Sequence, residues 1–147
     1  MALIRDYVAE HERATNLGGD AVRAMDRGEL TRAASLLDAM AAELRSHWQG
    51  EENGLFAVMS RDELFAEHIG PLVSEHRELE ALLGALDLTD PSDQERVRTA
   101  VFELHEHIAK EEDGLFPASL IALTGDEWDD SMRAWHAAHP DGCMIGE

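Results

Sequence analysis

Two copies of one block carry the residues of this chain that are best suited to chemistry. Residues 43–56 read ELRSHWQGEENGLF and residues 103–116 read ELHEHIAKEEDGLF, and eight of the fourteen positions are identical. In each copy a glutamate follows a histidine by four residues. The pairs are His47 with Glu51 and His107 with Glu111. Residues four apart on a helix lie one turn apart on the same face, so each block offers an imidazole and a carboxylate that point in one direction.

A shorter echo precedes each block and supplies another histidine. Residues 8–11 read VAEH and residues 73–76 read VSEH, which places His11 before the first block and His76 before the second. The chain therefore contains the order His…His-x-x-x-Glu twice. Four histidines and two carboxylates in this order are suited to a site for two metal ions inside a helical bundle.

All six of these residues fall on the apolar stripe of a predicted helix, and this position requires a physical explanation. A carboxylate without a partner is strongly unfavourable in a core, and two of them also repel each other. The core-facing stripes contain no lysine or arginine that could neutralise them, whereas two divalent cations could. A single histidine on such a stripe is usually an ordinary packed residue. The repeated order on four stripes favours metal ligands, and imidazole with carboxylate suits iron, manganese or zinc.

The elements that must position these residues are helices. The spacing of apolar residues predicts an all-α protein with four long helices and one short one. The predicted ranges are 2–26, 30–58, about 69–86, about 94–121 and 125–138. Short connections imply an antiparallel up-down four-helix bundle with an additional short C-terminal helix. We assign residues 1–123 to the bundle and residues 124–147 to a C-terminal helix and tail packed on the same domain.

The composition of the chain argues against several classes of binding partner and of cellular location. The 147 residues suffice for one domain with a substantial core. A formal net charge of −19 argues against nucleic acid and against an anionic membrane surface. No apolar run approaches the roughly 18 residues that a membrane span needs. The single cysteine, Cys143, excludes an internal disulfide, and no secretory signal is recognisable at the N-terminus, so we expect a cytoplasmic protein.

At these residues the chain resembles the hemerythrin superfamily, specifically the bacterial hemerythrin-like domains named for their His-His-Glu (HHE) cation-binding pattern. The resemblance covers roughly residues 7–121 and rests on the doubled motif with EE-x-G-L-F. It implies a four-helix bundle around a non-heme di-iron centre with an oxo or hydroxo bridge, in which Glu51 and Glu111 bridge the two irons. The ligands that it implies are His11, His47, Glu51, His76, His107 and Glu111.

One position departs from the pattern of the oxygen-carrying hemerythrins. These have a fifth histidine four residues after the histidine of the third helix, and here that position is Glu80. We include Glu80 as a seventh candidate metal ligand, and if it binds iron, a third carboxylate stabilises the ferric state. If Glu80 faces solvent, one iron keeps an open position, as a reactive centre needs. Either arrangement favours redox chemistry or sensing over reversible oxygen carriage.

Several functions are compatible with this pattern. The first is a di-iron protein that binds or reacts with dioxygen, peroxide or nitric oxide, with or without enzymatic turnover. The second is an iron- or oxygen-responsive sensor or interaction module whose fold depends on metal. The third is a metal-storage bundle for zinc or iron without redox turnover, and the fourth is a metal-free interaction bundle. The sequence identifies no protein partner.

Other polar residues have competing interpretations. Glu43 and Glu103 lie one turn before His47 and His107, and either accept the second imidazole N–H or are solvated surface carboxylates. We expect Glu52 and Glu112, which directly follow the ligand glutamates, to lie at the surface. His136, His139 and Cys143 form a late cluster without an evident fourth ligand, so an ordinary tail is expected there.

Overall fold

The computed structural model describes residues 2–145, and within this range all regular structure is helical. This confirms the predicted all-α class. The α-helices are α1 (Ala2–Asp26), α2 (Leu30–Asn53), α3 (Leu55–Met59), α4 (Glu63–Leu83), α5 (Pro91–Lys110), α6 (Phe116–Ala122) and α7 (Gly125–Ala138). A π-helical segment, Glu111–Leu115, joins α5 to α6. Within residues 2–145 no helix is both long enough and apolar enough to cross a membrane.

Local sequence signals explain where α4, α5 and α7 begin. Pro91 occupies the first turn of α5 behind the N-cap Asp90, whose carboxylate accepts a hydrogen bond from the Ser92 amide at 2.9 Å. Thr124 and Glu127 form a capping box at the start of α7, which has the predicted bounds. The predicted start of the third long helix near residue 69 was wrong. Asp62 caps α4 six residues earlier, and exposed Pro71 lies inside the helix.

Both copies of the block depart from a regular α-helix, the first directly after its glutamate pair and the second at the first glutamate of the pair. In the first copy α2 ends at Asn53, and Gly54 has φ −109° and ψ −102° before α3 begins. In the second copy the backbone becomes π-helical at Glu111. The predicted continuous helices through residue 58 and to residue 121 are therefore each interrupted. π-Helical turns frequently occur at functional sites.

Two apolar clusters divide the core, and the predicted ligands separate them along each long helix. One cluster contains the Leu-Phe pairs of both blocks together with Trp128 and Trp135 of α7. The other contains residues on the opposite side of the ligands, such as Ala14 of α1 and Leu104 of α5. The polar residues thus form a layer between two apolar regions. α7 packs on α2 and α3, beside the first block.

Candidate metal centre

The structure brings six of the seven predicted ligands together in two groups that share one glutamate. The first group is His11, His47, Glu51 and Glu111, and the second is His76, His107 and Glu111. In each group one potential ligand atom per residue lies within 4.8 Å of every other. All six side chains are buried, at 5% exposure or less. They come from α1, α2, α4, α5 and the first residue of the π-helical segment.

Both buried glutamates face histidines of both groups. Glu51 Oε2 lies 3.1 Å from His47 Nε2, and Glu51 Oε1 lies 3.5 Å from His76 Nε2. Glu111 Oε2 lies 3.2 Å from His11 Nε2 and 3.5 Å from His107 Nε2. A carboxylate between two groups of imidazoles has the arrangement that a bridging ligand needs.

The donor atoms have no adequate partners within the protein, and this fits a site for cations. Both oxygens of Glu51 and of Glu111 are buried without a hydrogen bond, as is Nε2 of His11 and of His47. Buried polar atoms are normally paired, so six converging atoms without partners require a ligand. The Nε2 atoms of His76 and His107 face each other at 3.0 Å. Nitrogen lone pairs in this position are stabilised by a cation placed near both.

The protonation equilibria reflect the crowding of negative charge. Burial, and then the charge of Glu111, raise the pKa of Glu51 well above its ordinary value. Burial opposes protonation of His11, but the nearby carboxylates of Glu111 and Glu51 outweigh it and raise its pKa to about 9. In the absence of a cation, protons on Glu51 and His11 therefore offset part of the negative charge of the two buried carboxylates.

Each of the four histidines turns Nδ1 toward a further glutamate outside the two groups. Glu112 Oε2 lies 2.8 Å from Nδ1 of His11, and Glu52 Oε2 lies 2.7 Å from Nδ1 of His76. Because an ionised carboxylate only accepts hydrogen bonds, Nδ1 must donate, and Nε2 of a neutral ring is left free for a metal. The glutamates that follow the ligand pairs thus orient histidines of other helices. We expected these glutamates at the surface, and they are instead half-buried, with side chains 20% and 29% exposed and one carboxylate oxygen on an imidazole.

The glutamates of the short echoes face Nδ1 of the other two histidines. Glu75 Oε2 lies 2.6 Å from Nδ1 of His107, and Glu10 Oε2 lies 3.6 Å from Nδ1 of His47. The latter distance is just beyond a hydrogen bond. Glu10 and Glu75 each directly precede a predicted ligand in the sequence, in VAEH and VSEH. Each echo therefore supplies one ligand and one carboxylate that supports a ligand of the neighbouring block.

Aromatic rings stack on two of the imidazoles, and each phenylalanine comes from the opposite half of the sequence to the histidine that it contacts. Phe116, at the end of the second block, stacks on His11 of α1 with ring centroids 5.8 Å apart. Phe56, at the end of the first block, stacks on His76 of α4, also at 5.8 Å. Trp48 covers the same imidazole of α4 at 4.7 Å. The phenylalanine and the second glutamate of each block thus clamp a histidine that belongs to the other half of the sequence.

Glu80, the seventh predicted ligand, lies outside both groups. Its carboxylate pairs with Arg77, which also pairs with Glu52, and its side chain is 43% exposed. Sequence reasoning missed the supporting roles of Glu10 and Glu75. The signal was available, because these glutamates are identical between the two echoes, as Glu52 and Glu112 are between the two blocks. Glu43 instead pairs with Arg13, and Glu103 lies on the wall of the cavity described next.

A cavity of about 410 Å³ between α4 and α5 leads from the protein surface to the second group. His76 and His107 lie on its wall, together with the apolar side chains of Trp48, Leu79 and Leu104. Glu75 and Lys110, which are ion-paired at 2.7 Å, also line it. This cavity gives a small molecule a route to the second group.

The family model for the hemerythrin HHE cation-binding domain matches residues 2–119. The match covers most of the chain, and the chain therefore belongs to this family. No curated protein and no solved structure matches the chain. The family membership and the two groups of buried histidines and glutamates together indicate a metal-ion-binding site.

Proposed function

We propose that this protein is a non-heme di-iron protein that binds or reacts with dioxygen, peroxide or nitric oxide inside a four-helix bundle. The observation that carries the proposal is the position of Glu51 and Glu111, each of which faces imidazoles of both groups. Two cations that share two carboxylates would satisfy the six converging atoms described above, which are both oxygens of Glu51 and of Glu111 and Nε2 of His11 and of His47. One cation could not reach both pairs of histidines.

The residues would divide between two metal positions. His11 and His47 would hold one iron, His76 and His107 would hold the other, and Glu51 and Glu111 would bridge them. The distribution of the apolar clusters supports an antiparallel up-down arrangement of α1, α2, α4 and α5. One cluster takes residues before the ligands on α1 and α4 and residues that follow α2 and α5 in the chain, on α3, the π-helical segment and α6, as alternating helix directions require.

The second position is the better candidate for small-molecule binding. The cavity between α4 and α5 ends at His76 and His107, whereas Trp135 of α7 packs close to the first position. Iron, when bound, supplies redox chemistry and open coordination positions. The apolar wall of the cavity would limit access of water, and Glu75 would keep the His107 ring in its binding orientation.

The pairing of Glu80 with Arg77 favours reaction or sensing over reversible oxygen carriage. The oxygen carriers that the chain resembles have a histidine at this position, and here the side chain is engaged at the surface. The second position would then have two imidazoles rather than three, with room for an exogenous ligand. Manganese and zinc remain chemically compatible with the same donors.

Metal content and the absorption spectrum of the purified protein test the proposal together. We expect two iron ions per chain and near-ultraviolet bands that change on reduction and on addition of dioxygen, peroxide or nitric oxide. Glu111→Ala should lose both ions, whereas Glu103→Ala, at an exposed glutamate two helical turns earlier in the same block, should retain them. Zinc without colour, or a single ion per chain, would overturn the di-iron function. No metal in either protein would overturn the metal site itself.

A further inference from the structure

The C-terminal segment, which lies beyond the family match, reaches the surroundings of the metal centre through one buried carboxylate. Glu10 is 1% exposed and faces Nδ1 of His47. Trp135 Nε1 donates a hydrogen bond to Glu10 Oε2 at 3.2 Å, and His139 Nε2 lies 2.6 Å from Glu10 Oε1. Two residues outside the matched range therefore hold a group that faces a predicted ligand.

The surroundings of His139 require a protonated ring. Its Nδ1 lies 2.8 Å from the carbonyl oxygen of Trp135, and its Nε2 faces the Glu10 carboxylate. With Glu10 ionised, both neighbours only accept hydrogen bonds, so both ring nitrogens must donate and the ring must be an imidazolium. It stacks on the Trp135 indole with centroids 4.2 Å apart, a position that favours a cation. Burial opposes protonation, but the contact with Glu10 outweighs it and raises the pKa of His139.

The second half of the molecule has an equivalent ion pair built from different residues. Glu75, the counterpart of Glu10, pairs with Lys110 at 2.7 Å. When the two blocks are aligned, Gly50 occupies the position of Lys110. A Cβ atom at Gly50 would lie 3.5 Å from Trp135 Cα and 3.7 Å from His139 Cε1. The C-terminal segment thus lies where a lysine side chain would otherwise extend, and it brings its own cation.

We propose that His139 is a positioning residue of the metal centre, which holds the buried Glu10 carboxylate against His47 and takes the place of the lysine that the first block lacks. This inference rests on the proposed metal site. An ionised carboxylate 3.6 Å from Nδ1 favours the His47 tautomer with a proton on Nδ1, and Nε2 is then free to bind metal. A neutral residue at position 139 would leave the buried Glu10 carboxylate without the cation that now faces it at 2.6 Å.

The test compares His139→Gln, which removes the charge, with His139→Lys, which keeps it. His68→Gln, an exposed histidine on α4, is the matched control. Zinc affinity is measured on the full chain by competition with a chromophoric chelator, with helix content followed by circular dichroism. We expect His139→Gln to weaken binding about tenfold, His139→Lys to stay within about threefold of the parent, and His68→Gln to have no effect. If His139→Gln loses helix, Trp135→Phe, which removes one donor to Glu10, takes its place.

A second readout does not depend on metal. Nitrogen-15 spectra of the metal-free chain report the protonation of each imidazole, and we expect His139 to be protonated on both nitrogens at pH 7 and His47 on Nδ1. In His139→Gln the His47 signals should shift toward a mixture of tautomers. Unchanged zinc affinity with an unchanged His47 tautomer would overturn the inference, as would equal losses in His139→Gln and His139→Lys. If the parent chain binds no metal, the proposed function fails, and the tautomer of His47 still decides this inference.

Discussion

Individual residues in this centre act through histidines of other helices rather than through their own neighbours in sequence. Glu52 and Phe56 of the first block clamp His76, while the equivalent residues of the second block clamp His11. A carboxylate at Nδ1 fixes both the tautomer and the orientation of the ring, which a metal ligand needs. The repeated EE-x-G-L-F sequence therefore has a direct role at the site in addition to packing.

Removing one supporting carboxylate should weaken metal binding without unfolding the protein. In Glu112→Gln the His11 ring loses its charged acceptor, and we expect the zinc affinity to fall by about 10- to 100-fold with unchanged helix content. Glu43→Gln is the control, since Glu43 pairs with Arg13 on the surface. Chelator competition measures both variants. An equal loss in Glu43→Gln would show that general surface charge, rather than the Nδ1 contact, controls affinity.

At the scale of helices, the two blocks have the same sequence pattern but different surroundings. α7 covers the first block, and the glycines of that block allow the close approach. A Cβ atom at Gly54 would lie 2.7 Å from the Gly50 carbonyl oxygen and 3.0 Å from that of Ser131. Its counterpart Gly114 has nothing within 4 Å of a Cβ atom. The same residue type is therefore required in one copy for packing and not in the other.

This difference predicts opposite outcomes for one substitution at two equivalent positions. Gly54→Ala should lower the free energy of unfolding by about 1–3 kcal/mol, because both nearby oxygens belong to the backbone and must move. Gly114→Ala should change it by less than about 0.5 kcal/mol or raise it slightly, since it restricts the unfolded chain without a clash. Urea denaturation measures both. A larger loss in Gly114→Ala than in Gly54→Ala would contradict the account.

The helices and the ligands could be predicted from sequence because they follow periodic patterns. Apolar spacing indicated the long helices, and six polar residues on apolar stripes indicated the centre. The early start of α4 could not be predicted from periodicity, since Asp62 determines it through a local cap. The π-helical turn at Glu111 depends on packing between helices. The role of His139 was also missed, because its partner Glu10 lies 129 residues earlier and no spacing rule connects them.

At the scale of the whole molecule, the end of the described chain is tied back to the first helix. The Ile145 amide donates to both oxygens of Asp6 at 3.2 Å, and Met144 is buried in the same apolar cluster as Leu3. With the Glu10–His139 ion pair, these contacts fix residues 139–145 against α1, although only Met144 among them is buried, so the segment is not the unattached tail that the sequence suggested. The last residues that the structure describes thus cover one side of the layer formed by the predicted ligands.

The Glu10–His139 ion pair should make the stability of the metal-free protein depend on pH in both directions. Burial opposes ionisation of Glu10, but the contact with His139 outweighs it and lowers its pKa from 4.5 to about 2. This contribution, about 3 kcal/mol, is present above pH 4.5 and is lost as the pH falls toward 2. The raised pKa of His139 gives a contribution that is complete below pH 6.5 and is lost as the pH rises through the raised value.

The measurement is the difference in unfolding free energy between the parent chain and Glu10→Gln, with metal removed by chelation. We expect this difference to be largest between about pH 5 and 6.5 and to shrink on either side. His68→Gln serves as the control for general charge effects. A difference that does not vary with pH would show that the carboxylate contributes only through packing.

Each copy of the block contacts a histidine of the other half of the chain through its second glutamate and its phenylalanine. These contacts restrict which substitutions the sequence of each copy can accept. A change at Glu52 or Phe56 alters the environment of His76, and a change at Glu112 or Phe116 alters that of His11. A substitution at one of these positions therefore affects a histidine in the other half of the chain. Among relatives of this chain we expect correlated substitutions between one copy of the block and the echo of the other half. Positions 50 and 110 are not under this constraint once the C-terminal segment is present. The two copies differ there, with glycine at position 50 and lysine at position 110.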